Sequence, residues 1–285
     1  MHATRKTILL HCACKCRAAP IALFEDLIRL HPASVSTPNS NHQLPLHVAL
    51  KFGLSLDVLR LLLFDGCVSI ADKRGYTSLH WAAETMYRAP NQYIGQPQPE
   101  SGAWPVASAA DEERAVHAVE MLLALDSQAA RLTDLKGSLP LHTAAKNQAA
   151  FGVVKLLVDA FEDGLNQAAS FVVTRGGNGH KGAKSAVSVD GPDAFVDMLP
   201  LHCALNQIVP DCQTCALMLD RAPQSAFVKG GSRGGLPLHF ATFVPRGSEA
   251  FWQAVAQPLL ALNKNAAQVA EQQCQRLLLP DCART

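Results

Sequence analysis

A four-residue phrase recurs along the chain and limits what it can fold into. Leu44-Pro45-Leu46-His47 returns at positions 139–142, 199–202 and 236–239, and looser copies stand at 8–11 and 77–80. The gaps between the six histidines are 36, 33, 62, 60 and 37 residues. The two long gaps equal one period plus an insertion of a little under 30 residues. A period of this size predicts a stacked array of similar units.

Each unit extends the phrase in a similar way. A small-residue pair follows the histidine, a glycine stands five residues before it, and an aspartate stands eight before it. The residues that show this are Asp72, Gly75, Ala82 and Ala83, and then Asp134, Gly137, Ala144 and Ala145. Proline suits the first position of a helix, and glycine allows the turn before it. An apolar helical stretch follows, and such short helices must stack to bury their apolar faces.

These residues resemble the ankyrin repeat, whose pattern is D-x-x-G-x-T-P-L-H-x-A-A. Positions 72–83 depart from it only at Ser78, and positions 134–145 have Leu139 in place of threonine. The resemblance implies an all-α fold, an ankyrin-repeat solenoid of about six helix-turn-helix units with β-turn or hairpin fingers. Leucine replaces the threonine in four copies, which removes a hydroxyl that could cap the helix. The partner of the histidine ring is left open in those copies.

We predict a single ankyrin-repeat array over residues 1–285. Its units lie near 7–38, 39–71, 72–133, 134–169, 194–230 and 231–270, with a C-terminal tail or cap at 271–285.

Two insertions interrupt the predicted array. The first, 87–111, is rich in proline and glycine and is predicted to be a loop, either a plain surface excursion or a partner-binding loop. It holds Tyr87, Tyr93 and Trp104. The second, 170–193, is hairpin-like, because the runs 171–174 and 185–189 are β-prone.

Composition narrows the class of protein. The formal net charge is +1, so we expect no nucleic-acid partner. Nine cysteines without a regular framework indicate reduced thiols and an intracellular location, in the cytoplasm or the nucleus. No stretch approaches the ~20 apolar residues of a membrane span. We expect a monomer.

Three motifs invite a chemical interpretation and none supports it. The glycine-rich segment 175–184 has Ala183 where a phosphate loop needs lysine. The cluster His11-Cys12-Ala13-Cys14-Lys15-Cys16 lacks the spacing of paired-cysteine zinc sites. The pair Cys212 and Cys215 has no second pair. The sequence therefore predicts no enzyme, with no catalytic residue, metal site or cofactor.

The resemblance implies a protein-protein interaction module or scaffold, binding through a concave face and the fingers. The alternative is a regulatory ankyrin segment of a larger enzyme or channel. The matching partner-binding positions are Lys73, Arg74, Tyr76, Glu84, Thr85, Leu135, Lys136, Ser138, Lys146, Asn147, Phe195, Val196, Met198, Asn206, Gln207, Ser232, Arg233 and Phe243.

Charge is distributed unevenly over the predicted units. Lysine and arginine outnumber acids in the predicted fingers, whereas acids concentrate on the second helices. We expect a protein partner, with an acidic segment as the favoured type. An ordinary surface of mixed charge is the alternative.

Overall fold

The computed structural model describes residues 9–85, 108–173, 194–207, 210–231, 234–242 and 249–263. Within these ranges the chain is mostly helical and has two short strands, which confirms the all-α class. The chain divides into two compact units, Met1–Phe161 and Glu162–Thr285. The sequence analysis, by contrast, predicts a single array over residues 1–285 with no division after residue 161.

The first unit consists of short helices in sequence. Residues 9–13 are helical, and the helices that follow are α1 Ile21–Leu30, α2 Pro45–Phe52, α3 Leu56–Leu61, α4 Ser78–Thr85, α5 Ala109–Leu125, α6 Pro140–Asn147 and α7 Phe151–Ala160. Helices α2, α4 and α6 pack side by side in one layer. Helices α1, α3, α5 and α7 pack side by side in a second layer. Each of α2, α4 and α6 also contacts the helix that follows it.

Small and branched apolar residues explain why these layers lie close together. Ala82 and Ala83 of α4 and Ala144 of α6 are buried, and their size lets neighbouring helices approach. The second layer contributes larger side chains, such as Leu59 and Leu122. In the described part of the chain, no helix is long and apolar enough to cross a bilayer.

The histidine of the recurring phrase caps its own helix. Its Nδ1 accepts the backbone N–H of the residue three positions before it, at 2.9–3.2 Å in five copies. The rings concerned are those of His47, His80, His142, His202 and His239. An N–H at the helix start, which has no partner within the helix, is thereby satisfied.

This cap does not need a hydroxyl. Leu44 and Leu139 make it with their backbone N–H alone, while Thr77 adds a hydroxyl bond to His80 Nδ1 at 2.9 Å. The sequence analysis left the ring's partner open in the leucine copies. The structure shows that the main chain supplies it.

One of these rings also connects its repeat to the next in the first unit. Because Nδ1 of His80 accepts, the proton of its neutral ring lies on Nε2 and can be donated. His80 Nε2 donates to the Ser138 carbonyl at 2.8 Å, and His11 Nε2 lies 2.9 Å from the Gln43 carbonyl. Both carbonyls precede the next copy of the phrase. The His80 side chain therefore caps a helix and orders the turn of the following repeat.

Two arginines fix the start of α5. The Asp111 carboxylate pairs with Arg17, 2.7 Å away, and with Arg114. Both guanidinium groups also donate to the carbonyl of Gly53, which ends α2 in the left-handed conformation. This clip joins three sequence-distant segments of the first unit.

The second unit begins with a 3-10 turn, Glu162–Asn166, which a β-hairpin follows. Strands β1 Ala169–Val173 and β2 Ala194–Met198 are antiparallel, with Ala169 opposite Met198 and Val173 opposite Ala194. The helices that follow are α8 Pro200–Leu205, α9 Cys212–Arg221, α10 Pro237–Ala241, α11 Glu249–Phe251 and α12 Gln257–Leu262. A π-helical turn, Trp252–Ala256, joins α11 to α12. Helix α8 packs against α9 and α10.

The two predicted insertions are described in part. The second strand of the hairpin is 194–198, which lies beyond the predicted boundary at residue 193. The run 185–189, which the sequence favoured, lies outside the described residues. Helix α5 begins at Ala109, inside the predicted loop 87–111, and most of that loop lies outside the described residues too.

Acid should destabilise this fold through the capping histidines. Burial lowers the pKa of His47 and of His202 to about 4 and also lowers that of His80. Their unfolded pKa is about 6.5, so the stabilisation is complete above that value and is lost as pH falls towards 4. A pKa shift from 6.5 to about 4 corresponds to a loss of about 3 kcal/mol in the free energy of unfolding for each of His47 and His202 once its ring is fully protonated. We expect urea unfolding to show a lower free energy at pH 5.0 than at pH 7.5.

A His117→Ala variant serves as the control, because His117 is exposed and caps no helix start. It should keep the pH dependence of the natural chain. A free energy of unfolding that stays constant between pH 7.5 and 5.0 would contradict the proposed role of the buried rings.

Candidate functional site

Three five-residue turns of the first unit share one hydrogen-bond pattern. They are 39–43, 72–76 and 134–138, and together they are called the turn row. In each turn the first N–H donates to the fifth carbonyl, at 2.9 Å, and the fourth N–H donates to the first carbonyl. The side-chain oxygen of Asn39, Asp72 or Asp134 accepts the third and fifth N–H groups at 2.8–3.0 Å. A short polar side chain thus folds each turn around itself.

The turns are also bonded to one another. The Lys73 N–H donates to the Asn41 carbonyl, and the Leu135 N–H donates to the Arg74 carbonyl, both at 3.1 Å. Gly75 lies at the second junction with φ +79°, and a Cβ there would lie 2.6 Å from Leu135 N. The row is therefore held together by main-chain contacts that only glycine permits at this place.

The first of these turns was missed by the sequence analysis. It has Asn39 where the others have aspartate, and His42, with φ 57°, where they have glycine. Asparagine tolerates the same turn geometry as aspartate. Its spacing of five residues before Leu44 was the available signal, since Asp72 and Asp134 stand five residues before Thr77 and Leu139.

Charge at the turn row is more one-sided than the sequence suggests. Asp72 and Asp134 are buried, and their carboxylates accept main-chain N–H groups of their own turns. Lys73, Arg74 and Lys136 are exposed. A count of residues treats these acids and bases as equal, but only the cations face solvent. The exposed edge is therefore basic.

Arg74 is held in place by its surroundings. Its guanidinium carbon lies 4.1 Å from the centre of the Tyr76 ring and 4.6 Å from that of Trp81. Its Nη2 lies 3.2 Å from a carboxylate oxygen of Glu84. Lys51 Nζ lies 5.0 Å from the Trp81 ring centre. Arg74 is therefore oriented by two aromatic rings and paired with Glu84, and its Nε also lies 4.0 Å from a carboxylate oxygen of Asp72.

The environment also keeps the tyrosine of this cluster neutral. Burial raises the pKa of Tyr76 to about 12, and the carboxylate of Glu84 adds to the effect. Lys51 and Trp81 were absent from the predicted positions, since neither belongs to the repeat signature.

Two predicted partner-binding residues are not at the surface. Ser138 is 3% exposed, and Met198 is 9% exposed. Ser138 is enclosed because its N–H and carbonyl serve Asp134 and His80. Met198 is the last residue of β2 and pairs with Ala169, the first residue of β1. These two assignments are corrected, since buried side chains cannot contact a partner in this conformation.

The remaining predicted residues are described in part. Lys146 and Asn206 are exposed, while the amide of Asn147 donates to a carbonyl of α6 and that of Gln207 donates to a carbonyl of α8. Thr85 ends α4, and Phe195 and Val196 lie in β2, with side chains outside the description. Ser232, Arg233 and Phe243 lie outside the described residues.

The chemically reactive side chains in the described ranges are mostly enclosed by the fold. No group of three or more histidine, cysteine, aspartate or glutamate side chains there could hold a metal ion. Burial raises the pKa of Cys14 to about 12 and also raises those of Cys67 and Cys215, so these thiols stay protonated near neutral pH.

No protein-family model matches the chain, and no curated protein matches it significantly. One solved structure with a similar fold is the Bd0816 predatory endopeptidase from Bdellovibrio bacteriovorus in complex with immunity protein Bd3460. The alignment covers 88% of this chain and 96% of that chain, with 14% sequence identity and a TM-score of 0.53. A likeness at this identity shows a shared fold.

This comparison corrects the predicted function. The sequence pointed to a general interaction module or scaffold, with a regulatory ankyrin segment as the alternative. Both are wrong, because the similar fold occurs in a complex between an endopeptidase and its immunity protein.

Glycine variants can test how closely the second and third turns of the turn row pack. Gly75 and Gly137 both have a positive φ, so alanine at either position adds about 1 kcal/mol of backbone strain. At Gly75 the new methyl also meets the backbone of residues 134 and 135, whereas nothing lies within 4 Å at Gly137. We expect Gly75→Ala to lower the free energy of unfolding by roughly 1–3 kcal/mol more than Gly137→Ala.

Urea unfolding at pH 7.5 measures both variants, and Gly137→Ala is the matched control. Equal losses of stability would show that the contact between the second and third turns is looser than described.

Proposed function

We propose that this chain is an inhibitory binding protein of the immunity type, which associates with an endopeptidase and blocks its activity. The similar solved structure contains an endopeptidase and an immunity protein, and the shared fold extends over most of both aligned chains. The proposal takes the class of the partner from that complex. It differs from a scaffold because the expected consequence of binding is loss of a defined enzymatic activity.

The immunity role is favoured over the peptidase role by the hydrogen bonds that the histidines and acids make. Nδ1 of each of five repeated histidines accepts a helix-capping N–H. The carboxylates of Asp72 and Asp134 fold their turns. Histidine and aspartate side chains, which hydrolases use as bases or nucleophiles, here accept hydrogen bonds from backbone N–H groups. This supports a role in contact and not in cleavage.

The turn row supports the same role. Its main chain is cross-bonded, and Arg74 is oriented on two aromatic rings. A surface that is ordered before binding loses less conformational freedom on association. Its exposed cations favour a peptidase with an acidic face near the site of contact.

We also propose that the helix pairs are repeats of the ankyrin type. Proline at the first helical position, the capping histidine and the buried alanine pair support this assignment in the first unit. The seven cysteines in the described part of the chain are free thiols, which supports a reducing compartment, the cytoplasm or the nucleus.

Inhibition assays test the proposed function. The purified chain is titrated into the Bdellovibrio endopeptidase and into endopeptidases encoded in the chain's own genome, and cleavage of each enzyme's substrate is followed. We expect stoichiometric inhibition of at least one enzyme by the chain and no cleavage by the chain alone. Cleavage by the chain would instead identify it as the peptidase of such a pair.

Charge reversal tests the acidic nature of the bound face. The triple variant Lys73→Glu, Arg74→Glu, Lys136→Glu should slow association with the inhibited peptidase, on the order of 10-fold to 100-fold at low ionic strength. The matched control reverses three exposed cations away from the turn row, at Lys15, Arg29 and Lys155. Stopped-flow association rates compare the two. Equal rates for both triple variants would contradict the proposed orientation.

A further inference from the structure

The third turn of the turn row presents a leucine where its neighbours present polar residues. Leu135 is 77% exposed, and the residues at the same place in the other two turns are Ser40 and Lys73. The turn pattern does not require an apolar residue here, because Ser40 and Lys73 make the same turn. Burial of such an apolar side chain against a partner is favourable, because it removes apolar surface from water.

The backbone beneath Leu135 is fixed on both sides. Its N–H donates to the Arg74 carbonyl at 3.1 Å. Asp134, just before it, accepts the N–H groups of Lys136 and Ser138 at 2.8 Å. The Ser138 carbonyl in turn accepts a hydrogen bond from His80 Nε2. The leucine thus projects from a rigid support, which limits the entropy lost when it is buried.

Cations border the leucine. Arg74 is joined to it through the main chain and is oriented by Tyr76 and Trp81, and Lys136 follows it in sequence. Both cations are exposed, the acids of the two turns are buried and hydrogen-bonded, and Glu84 pairs with Arg74. Arginine is enriched at the energetic hot spots of protein interfaces, and Arg74 is the oriented arginine next to this leucine.

We propose that Leu135 is the anchor of the peptidase interface and enters an apolar pocket whose rim carries carboxylates. This inference rests on the proposed function and adds the chemistry of the bound face. The apolar side chain selects the pocket, and Arg74 and Lys136 pair with its rim. A phosphate-rich partner would use the cations and leave the leucine exposed. A lipid surface would need more apolar area than one leucine supplies.

The test replaces Leu135 with the residue of the neighbouring turn. Leu135→Lys reproduces the residue at position 73, so the turn should fold unchanged, as far-UV circular dichroism and urea unfolding can verify. Affinity for the inhibited peptidase, measured by calorimetry, should fall about 10- to 100-fold, mainly through faster dissociation. The control is Leu30→Lys, since Leu30 is 75% exposed but lies on α1. Its affinity should match that of the natural chain.

The outcomes separate the two proposals. If the natural chain inhibits a peptidase and Leu135→Lys binds as tightly, the anchor is refuted while the immunity role stands. If the natural chain inhibits no endopeptidase, the immunity role fails and the anchor falls with it. Vesicles of mixed phosphatidylserine and phosphatidylcholine provide a further arm, and Leu135-dependent binding to them would overturn the protein pocket in favour of a membrane.

Discussion

The fold of this chain depends on a neutral imidazole in a fixed place. Each of five capping rings accepts an N–H at the start of its own helix, and the ring of His80 also donates to the carbonyl before the next copy of the phrase. A neutral ring can do both because one nitrogen carries a proton and the other does not. At His80 one side chain therefore sets both the start of its helix and the turn of the following repeat.

The turn row follows from this arrangement. His80 donates a hydrogen bond to the Ser138 carbonyl, and the Asp134 carboxylate accepts the Ser138 N–H of the same turn. Gly75, which has no Cβ, lets the neighbouring turn approach. Burying the carboxylates inside the turns leaves cations as the exposed charges. The basic surface on which the proposed function rests therefore results from how the turns are folded. What distinguishes one turn from another is the residues that the turn geometry does not require, above all Leu135.

Much of the local structure could be predicted from the residues alone. Proline after leucine marks the starts of α2 and α6, and Gly75 and Gly137 mark turns in the left-handed conformation. The first turn was missed because asparagine and histidine replace its signature residues. The second strand of the hairpin was misplaced because β propensity favoured another run, whereas pairing opposite β1 selects 194–198. The predicted function was wrong, because the repeated residues stabilise the fold and do not specify the partner.

The sequence by itself determined the helical class, the positions of the capping histidines and the presence of cations near the turns, because these depend on residue type and spacing. Only the tertiary structure decided which of those charges face solvent and which are consumed by main-chain N–H groups. It also brought Lys51, Trp81 and Arg74 together, and it placed Leu135 beside Arg74 through a bond between two turns. These relations join residues far apart in the chain, and nothing in local periodicity encodes them.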